Sequence, residues 1–227
     1  MSVPSGFMYA SPEQVMKDRA DYARRNIARG KPVLGMEYAD GVLLLAENPS
    51  ATLHKVSEIY DRIAFAGVGK YPEYENLRIH GIRQADLKGY AYSRDDVTPR
   101  SLANLYSQIL DQIFTNSMKP YEAEILVAGV GDERNEMYHV TFDGVMIDEH
   151  GFAAVGGQAD ALKTHLAEHY EATPDLNAAV KLGVEALATV GNTELGADQL
   201  EAAVLDRNLP RRKFRRLEAA ELASALS

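Results

Sequence analysis

The chain has 227 residues, 46% of them hydrophobic and none of them cysteine, and its formal net charge is −9 at pH 7. The missing thiols exclude disulfide bonds and thiolate catalysis, and the acidic balance argues against a nucleic-acid partner, since phosphates require a basic surface. No apolar run approaches the roughly 18 residues of a membrane helix, and no secretion signal is recognisable, so we expect a cytoplasmic protein without a membrane partner.

A helix is predicted to begin after Ser11, behind an unpatterned segment at residues 1–10. Ser11 and Gln14 have the spacing of a capping box, Pro12 occupies the first helical position, and Gly30 follows the last turn. Charged residues surround one narrow apolar stripe. We therefore expect the helix to pack on the outside of the domain or against a neighbouring subunit. The stripe consists of Met16, Ala20, Ala23 and Ile27.

Four strands are predicted next, with no helix between them. The apolar runs Val33–Tyr38 and Val42–Ala46 flank an Asp-Gly pair, the strongest short-range signal of a hairpin. Because neither run alternates with polar residues, we expect both faces of the hairpin to be covered. A second pair, His54–Tyr60 and Ile63–Val68, follows. Four consecutive strands predict an antiparallel sheet rather than a doubly wound one.

The remaining segments form groups of helices and strands. Helices are predicted near Tyr74–Leu87, where Gly81 suggests a close helix–sheet approach, and from Thr98-Pro99 to Lys119-Pro120. This order predicts one α+β domain at residues 11–227, with the first helix at 11–29 and two stacked antiparallel sheets, covered by helices on both outer faces, at 33–227. The other predicted strands are Glu122–Val130, Met137–Phe142, Val145–Ile147, Phe152–Val155, Leu200–Leu205 and Lys213–Leu217. The other predicted helices are Ala159–Tyr170, Asp175–Val190 and Glu218–Leu226.

Two patterns resemble sites of known chemistry but have simpler explanations. His165, Glu168 and His169 match H-x-x-E-H, in which two imidazoles on one helix face bind zinc. No third ligand is indicated, so we interpret them as an exposed helix face. Gly67-Val68-Gly69 and Gly156-Gly157 follow strands, yet neither extends to a phosphate-binding fingerprint. Close packing explains both glycine pairs.

Charged residues beside apolar strands are further candidates. Glu47 and Lys55 must each find water or a partner, and either a solvated strand-end pair or a functional site would satisfy them. A basic cluster near the carboxyl end is interpreted as a solvated or subunit-contacting strand, with Phe214 facing the core. The cluster consists of Arg211, Arg212, Lys213, Arg215 and Arg216.

Several long stretches, in the correct order, resemble the α-type subunit of the proteasome core particle in its actinobacterial form. The likeness runs from about Tyr9 to Leu217. It implies the four-layer αββα sandwich of the N-terminal-nucleophile hydrolases, in agreement with the predicted order of strands and helices. The stretches are GKPVLGMEYADGVLLLAEN, HKVSEIYDRIAFAGVG, KPYE at 119–122 and LDRNLPRRKFRRL near the carboxyl end.

The resemblance implies a subunit without catalytic residues. Catalytic members of the superfamily need a Thr, Ser or Cys at the start of the first strand, whose free α-amine serves as base. Here Lys31-Pro32 precedes Val33, and a helical segment lies ahead of it. Glu47 and Lys55 resemble the acid and the lysine of catalytic β-type subunits but have no threonine to activate. We expect no metal and no cofactor.

The resemblance also implies the partners of this chain. Seven copies would form a ring that caps a ring of catalytic β-type subunits, and pockets between neighbours would receive the carboxyl-terminal tails of a ring-shaped AAA ATPase or another activator. Lys55 and Gly30 match residues of that pocket. Residues 1–10 would form a gate over the entry pore, and the loop Asn116–Met118, just before Lys119-Pro120, would narrow it. The gate and pore residues are Met1, Ser2, Val3, Tyr9, Asn116, Ser117 and Met118.

Two other functions remain open from the residues alone. A self-sufficient peptidase, of the N-terminal-nucleophile or the H-x-x-E-H zinc type, would act without a partner, and the nucleophile type would lose a segment near residue 30 by self-processing. A free-standing binding module would remain a monomer. A scaffold would keep the full chain and form rings.

Overall fold

The structure, a computed structural model, describes residues 11–50 and 52–226. Within those residues the chain forms two sheets and six α-helices. The strands are β1 (Val33–Tyr38), β2 (Gly41–Glu47), β3 (Val56–Tyr60), β4 (Ile63–Gly69), β5 (Ala123–Val130), β6 (Asn135–Val140), β7 (Met146–Glu149), β8 (Phe152–Val155), β9 (Leu200–Asp206) and β10 (Phe214–Arg216). The helices are α1 (Pro12–Ile27), α2 (Tyr71–Ala91), α3 (Pro99–Asn116), α4 (Ala159–His169), α5 (Leu176–Gly191) and α6 (Ala219–Leu226), with short 3-10 turns at Arg94–Asp96 and Ala197–Gln199.

The two sheets lie face to face between layers of helices. One sheet has the strand order β10-β9-β2-β1-β8 and the other β3-β4-β5-β6-β7, and every strand pairing in both is antiparallel. One apolar core fills the space between the sheets. A second lies between the first sheet and α4, α5 and α6, and a third between the other sheet and α2 and α3. This arrangement confirms the predicted sandwich.

The first hairpin is covered on both faces, as its composition predicts. Alternate residues of β1 and β2 enter different cores: Val33 and Leu44 face the other sheet, whereas Leu34 and Leu45 face the helices. At the turn, a Cβ on Gly41 would lie only 1.8 Å from the Leu205 carbonyl oxygen of β9. Glycine is therefore required there for the close approach of β9.

Helix α1 packs differently from our expectation. Its N-cap is confirmed, because the Gln14 backbone N–H donates to Ser11 Oγ at 3.2 Å, but the capping box is not completed, since the Gln14 side chain donates to Asp18 at 2.7 Å instead. The expectation that its stripe packs outside the sandwich is wrong for the second half, since Ala23 and Ile27 are buried in the core between the sheets. Apolar ends of β4 and β5 contact the helix there, and covering them removes apolar surface from water. Met16, in the first half, stays exposed.

The structure also differs from the predictions in the end of one strand and in the partner of one glycine. Strand β6 ends at Val140 rather than Phe142, because Thr141 opens the turn and its carbonyl accepts from Gly144 N at 2.9 Å. Gly81 marks a helix–helix approach, not the expected helix–sheet one: a Cβ there would lie 1.7 Å from the hydroxyl oxygen of Tyr106 on α3. No helix in the described ranges has the length and apolar character needed to cross a membrane.

Candidate functional site

Lys55 lies in the segment between β2 and β3, just before Val56 begins β3. Its ammonium donates to the backbone carbonyl of Lys31 at 2.5 Å, and its own backbone N–H donates to Glu201 Oε2 at 2.8 Å. The side chain is half-buried. Both ends of the residue are thus fixed by hydrogen bonds to distant parts of the chain.

The charge of Lys55 has no paired carboxylate in the described part of the chain. Glu47, which the sequence offered as a strand-end partner, pairs with Lys31 at 2.8 Å instead. Burial lowers the pKa of the Lys55 ammonium to about 8, and the nearby Lys31 charge acts in the same direction, while Glu47 and Glu201 oppose the shift. A half-buried cation held only by a carbonyl is suited to receive an additional anion.

Gly30 lies in the junction between α1 and β1, directly before Lys31, whose carbonyl accepts from the Lys55 ammonium. Its carbonyl accepts from the Gly157 backbone N–H at 3.1 Å, and a Cβ on it would lie 3.0 Å from a methyl of Val68. Gly30, Lys31 and Glu47 line a cavity of about 200 Å³ beside α4 and α5. Lys55 is not among the residues that line this cavity, and within the described residues it is connected to Gly30 only through the carbonyl of Lys31.

The segment Asn116–Met118 ends α3 and leads towards β5. Arg19 of α1 donates to the Ser117 carbonyl at 2.6 Å, and Lys119 pairs with buried Glu73 at 2.7 Å. Met118, between these two anchors, is fully exposed. The loop is thus held at both ends, with its one large apolar side chain in solvent.

The remaining predicted residues have different outcomes. The gate residues Met1, Ser2, Val3 and Tyr9 lie outside the described residues. Phe214 is buried in the core between the sheets, which confirms its predicted orientation, and three cations of the basic cluster pair with carboxylates of this chain. These pairs are Arg212–Glu58, Arg215–Glu221 and Arg216–Glu201.

Neither the start of β1 nor the H-x-x-E-H pattern has the groups that the two peptidase mechanisms need. Strand β1 begins with the buried hydrocarbon side chain of Val33, directly after Pro32. On α4 the rings of His165 and His169 stack with their centroids 4.4 Å apart. In residues 11–50 and 52–226, no three or more His, Asp or Glu side chains are grouped as a metal site would require.

Glu201 also belongs to this site, although nothing in the sequence assigned it there. It is a buried carboxylate in β9 that bonds to the segment leading to Lys55. A signal was available, since one acidic residue in the otherwise apolar strand 200–205 must find partners if the strand is buried. Its partners lie 145 to 146 positions away in the chain, so sequence alone could not identify them.

The comparisons with known proteins agree with this fold. Residues 27–205 match the family described as "Proteasome subunit". A protein of Streptosporangium roseum named "Proteasome subunit alpha" is 55% identical over 229 residues, covering 100% of this chain and 88% of its own. Proteins of the same name from Kineococcus radiotolerans and from a Nocardioides species are 52% and 54% identical; each covers all of this chain, with 99% and 90% of their own lengths matched. The chain therefore belongs to the proteasome subunit family, and within it to the α-type subunits of actinobacteria.

Proposed function

We propose that this chain is a non-catalytic α subunit of a bacterial proteasome core particle in the cytoplasm. Seven copies form the outer ring, which contacts the catalytic ring of β-type subunits and admits proteins for ATP-dependent degradation. Residues 1–10 form the gate, and residues 11–227 form one domain. Neither a nucleic acid nor a membrane is a partner in this proposal, and no cofactor or metal takes part.

The observation that supports a non-catalytic role is the junction ahead of β1. An N-terminal nucleophile needs a hydroxyl or thiol and a free amine at the start of that strand. Val33 offers neither, and the preceding helix buries Ala23 and Ile27 between the sheets. Exposing the start of β1 by processing would require removal of these core residues, which would leave an unfilled space in the core.

The observation that supports activator docking is the charge state around Lys55. A tail carboxylate can accept a charge-assisted hydrogen bond from an ammonium, a contact worth about 1.5–3 kcal/mol. In the described part of the chain Lys55 has no carboxylate partner, so a tail would not have to displace one. Gly30 directly precedes Lys31, whose carbonyl the ammonium contacts, and it has no side chain to obstruct the approach.

The pore function is supported by the two anchors of the loop Asn116–Met118. Because Arg19 and the Lys119–Glu73 pair hold its ends, the loop can keep a constant position while Met118 faces solvent. An exposed methionine on an anchored loop is suited to contact an unfolded chain that passes through a ring.

The proposal is tested by expressing the chain alone and together with an actinobacterial β-type subunit. We expect stacked rings in electron micrographs of the co-expressed pair and peptide hydrolysis only when the β-type subunit is present. The mass of the chain should remain that of the full sequence. Hydrolysis by the chain alone, or loss of a segment near residue 30, would favour the self-sufficient peptidase. A stable monomer that never joins β-type subunits would favour the binding module.

A further inference from the structure

Glu201 is a buried carboxylate with an unusually large set of hydrogen-bond donors. Its side chain is 9% or less exposed. Oε2 accepts from the Asn48 side-chain amide at 2.7 Å and from the Lys55 backbone N–H at 2.8 Å. Oε1 accepts from the Val56 backbone N–H at 3.2 Å and from the Arg216 guanidinium at 2.7 Å. A ring nitrogen of His54 lies 3.2 Å from Oε1.

Four of these five partners belong to one segment, residues 48–56, which ends in β3. Two of the five partners make further bonds to the described part of that segment. Asn48 also donates to the Leu53 carbonyl at 2.7 Å, and Arg216 also donates to the Val56 carbonyl at 2.7 Å. Glu201 is thus the centre of a hydrogen-bond network that holds both ends of the segment.

The consequence for Lys55 is geometric. Its backbone N–H and that of Val56 both point at one carboxylate, so the direction in which the Lys55 side chain leaves the backbone is determined. The ammonium then reaches the Lys31 carbonyl beside Gly30. Without the carboxylate, the partly buried N–H of Lys55 and the buried N–H of Val56 would lose their acceptor, and the segment would have to rearrange to satisfy them.

We propose that Glu201 is a positioning residue for the docking of activator tails: it holds the backbone at Lys55 so that the ammonium is presented beside Gly30. This inference rests on the proposed docking function of Lys55. Glu201 touches no tail itself and acts only through the 48–56 segment.

Glu201→Gln tests the proposal because it keeps the shape of the side chain. The carboxylate of Glu201 accepts hydrogen bonds through both oxygens, whereas the amide of glutamine has only one oxygen. The amide nitrogen is itself a donor, and it would face two of the donors that now bond to a carboxylate oxygen. The probe is a short labelled peptide that copies the carboxyl-terminal tail of an actinobacterial ring ATPase, measured against the same peptide with its terminal carboxylate amidated. The ratio of the two dissociation constants on the assembled particle reports the contact between ammonium and carboxylate.

We expect the wild-type particle to prefer the free acid, and Glu201→Gln to reduce this preference by at least about threefold. Glu37→Gln is the matched control. Glu37 also accepts two hydrogen bonds, from Gly151 N at 2.9 Å and Asn135 Nδ2 at 3.0 Å, but it lies towards the opposite end of the same sheet. Glu37→Gln should keep the wild-type ratio of the two dissociation constants. A general loss of folded particle would weaken binding of the free-acid and the amidated peptide equally, so it would not change that ratio.

The outcomes separate this inference from the docking proposal. An unchanged ratio in Glu201→Gln, together with a lost preference in Lys55→Ala, overturns only the role of Glu201. An unchanged ratio in Lys55→Ala overturns the docking function, and the role of Glu201 with it. If Glu201→Gln does not assemble, Glu201→Asp replaces it. Its shorter side chain retracts the carboxylate from the two N–H groups while keeping the charge, so the same loss of preference is expected and an unchanged ratio again overturns the inference.

Discussion

Lys55 differs from an ordinary surface lysine in both its surroundings and its pKa. The charged groups around it are Lys31, Glu47 and Glu201, and both carboxylates already pair with other cations. Burial lowers the pKa of its ammonium to about 8. The residue is therefore charged at neutral pH but loses its charge within the range in which most proteins remain folded.

Tail docking should consequently weaken as the pH rises above about 8. The tail carboxylate stays ionised throughout, so only the charge of Lys55 changes, and the affinity should fall by up to about tenfold per pH unit above the pKa of that ammonium. The measurement is the dissociation constant of the free-acid peptide on the assembled particle between pH 7 and pH 9.5.

Two variants show whether Lys55 causes this dependence. Lys55→Arg keeps its charge at every pH in the range, so its affinity should stay constant, whereas Lys55→Ala should bind weakly throughout. A wild-type affinity that does not change from pH 7 to pH 9.5, while Lys55→Ala binds weakly, would mean that burial does not lower the pKa of the ammonium; equal affinity of Lys55→Ala and the wild type at pH 7 would mean that the ammonium does not hold the tail.

At the residue scale the sequence could assign Lys55 and Gly30 to a docking pocket only through the family resemblance. Spacing alone favoured a solvated Glu47–Lys55 pair at the strand ends, and the structure shows Glu47 bound to Lys31 instead. The role of Glu201 could not be predicted, because it depends on contacts with residues 145 to 146 positions away. A buried acidic residue in an apolar strand must have hydrogen-bond partners, but the sequence does not identify them.

At the scale of single elements, apolar runs were the reliable signal. The predicted bounds of β1 and β8 match the structure, because each strand is a short apolar run between turn residues. The packing of α1 could not be read from its own stripe, since burial of Ala23 and Ile27 depends on the apolar ends of β4 and β5. The partner of Gly81 was missed for the same reason: the contact is with a different helix.

Gly81 therefore yields a prediction about the contact between α2 and α3. Alanine in mid-helix would by itself add up to about 1 kcal/mol of stability. Tyr106 is completely buried, so its hydroxyl cannot move away from a Cβ placed 1.7 Å from it. We expect Gly81→Ala to lower the free energy of unfolding by about 1–3 kcal/mol, as overpacked cores do, measured by chemical denaturation.

Gly191, the last residue of α5, is the matched control for this substitution. No atom lies within 4 Å of the Cβ that alanine would add there, so only the gain in helix propensity remains. Gly191→Ala should leave the stability unchanged or raise it by up to about 1 kcal/mol. If Gly81→Ala were as stable as the wild type, the two helices would have to be able to separate, contrary to the packing described above.

At the scale of the whole molecule, helix α1 joins parts that are far apart in sequence. Its second half closes the core between the sheets, and Arg19 contacts the loop after α3. The order of the strands and helices predicts the layered sandwich. The contacts of α1 with the core and with the loop after α3 could not be predicted, because they join residues that are far apart in the sequence. In a ring, α1 would connect the segment that precedes it to the loop that contains Met118.

Removal of residues 2–10 tests the gate in the complete particle. If this segment obstructs the entry pore, its deletion should increase hydrolysis of short peptides in the absence of an activator, while the maximal rate of activated particles stays the same. The β-type subunits are unaltered, so the increase reflects entry of the peptide rather than the chemical step.

Lys17→Ala, on the exposed side of α1, is the control and should leave the basal rate unchanged. An unaltered basal rate in the deletion would place the barrier elsewhere, and the anchored loop Asn116–Met118 would be the next segment to vary.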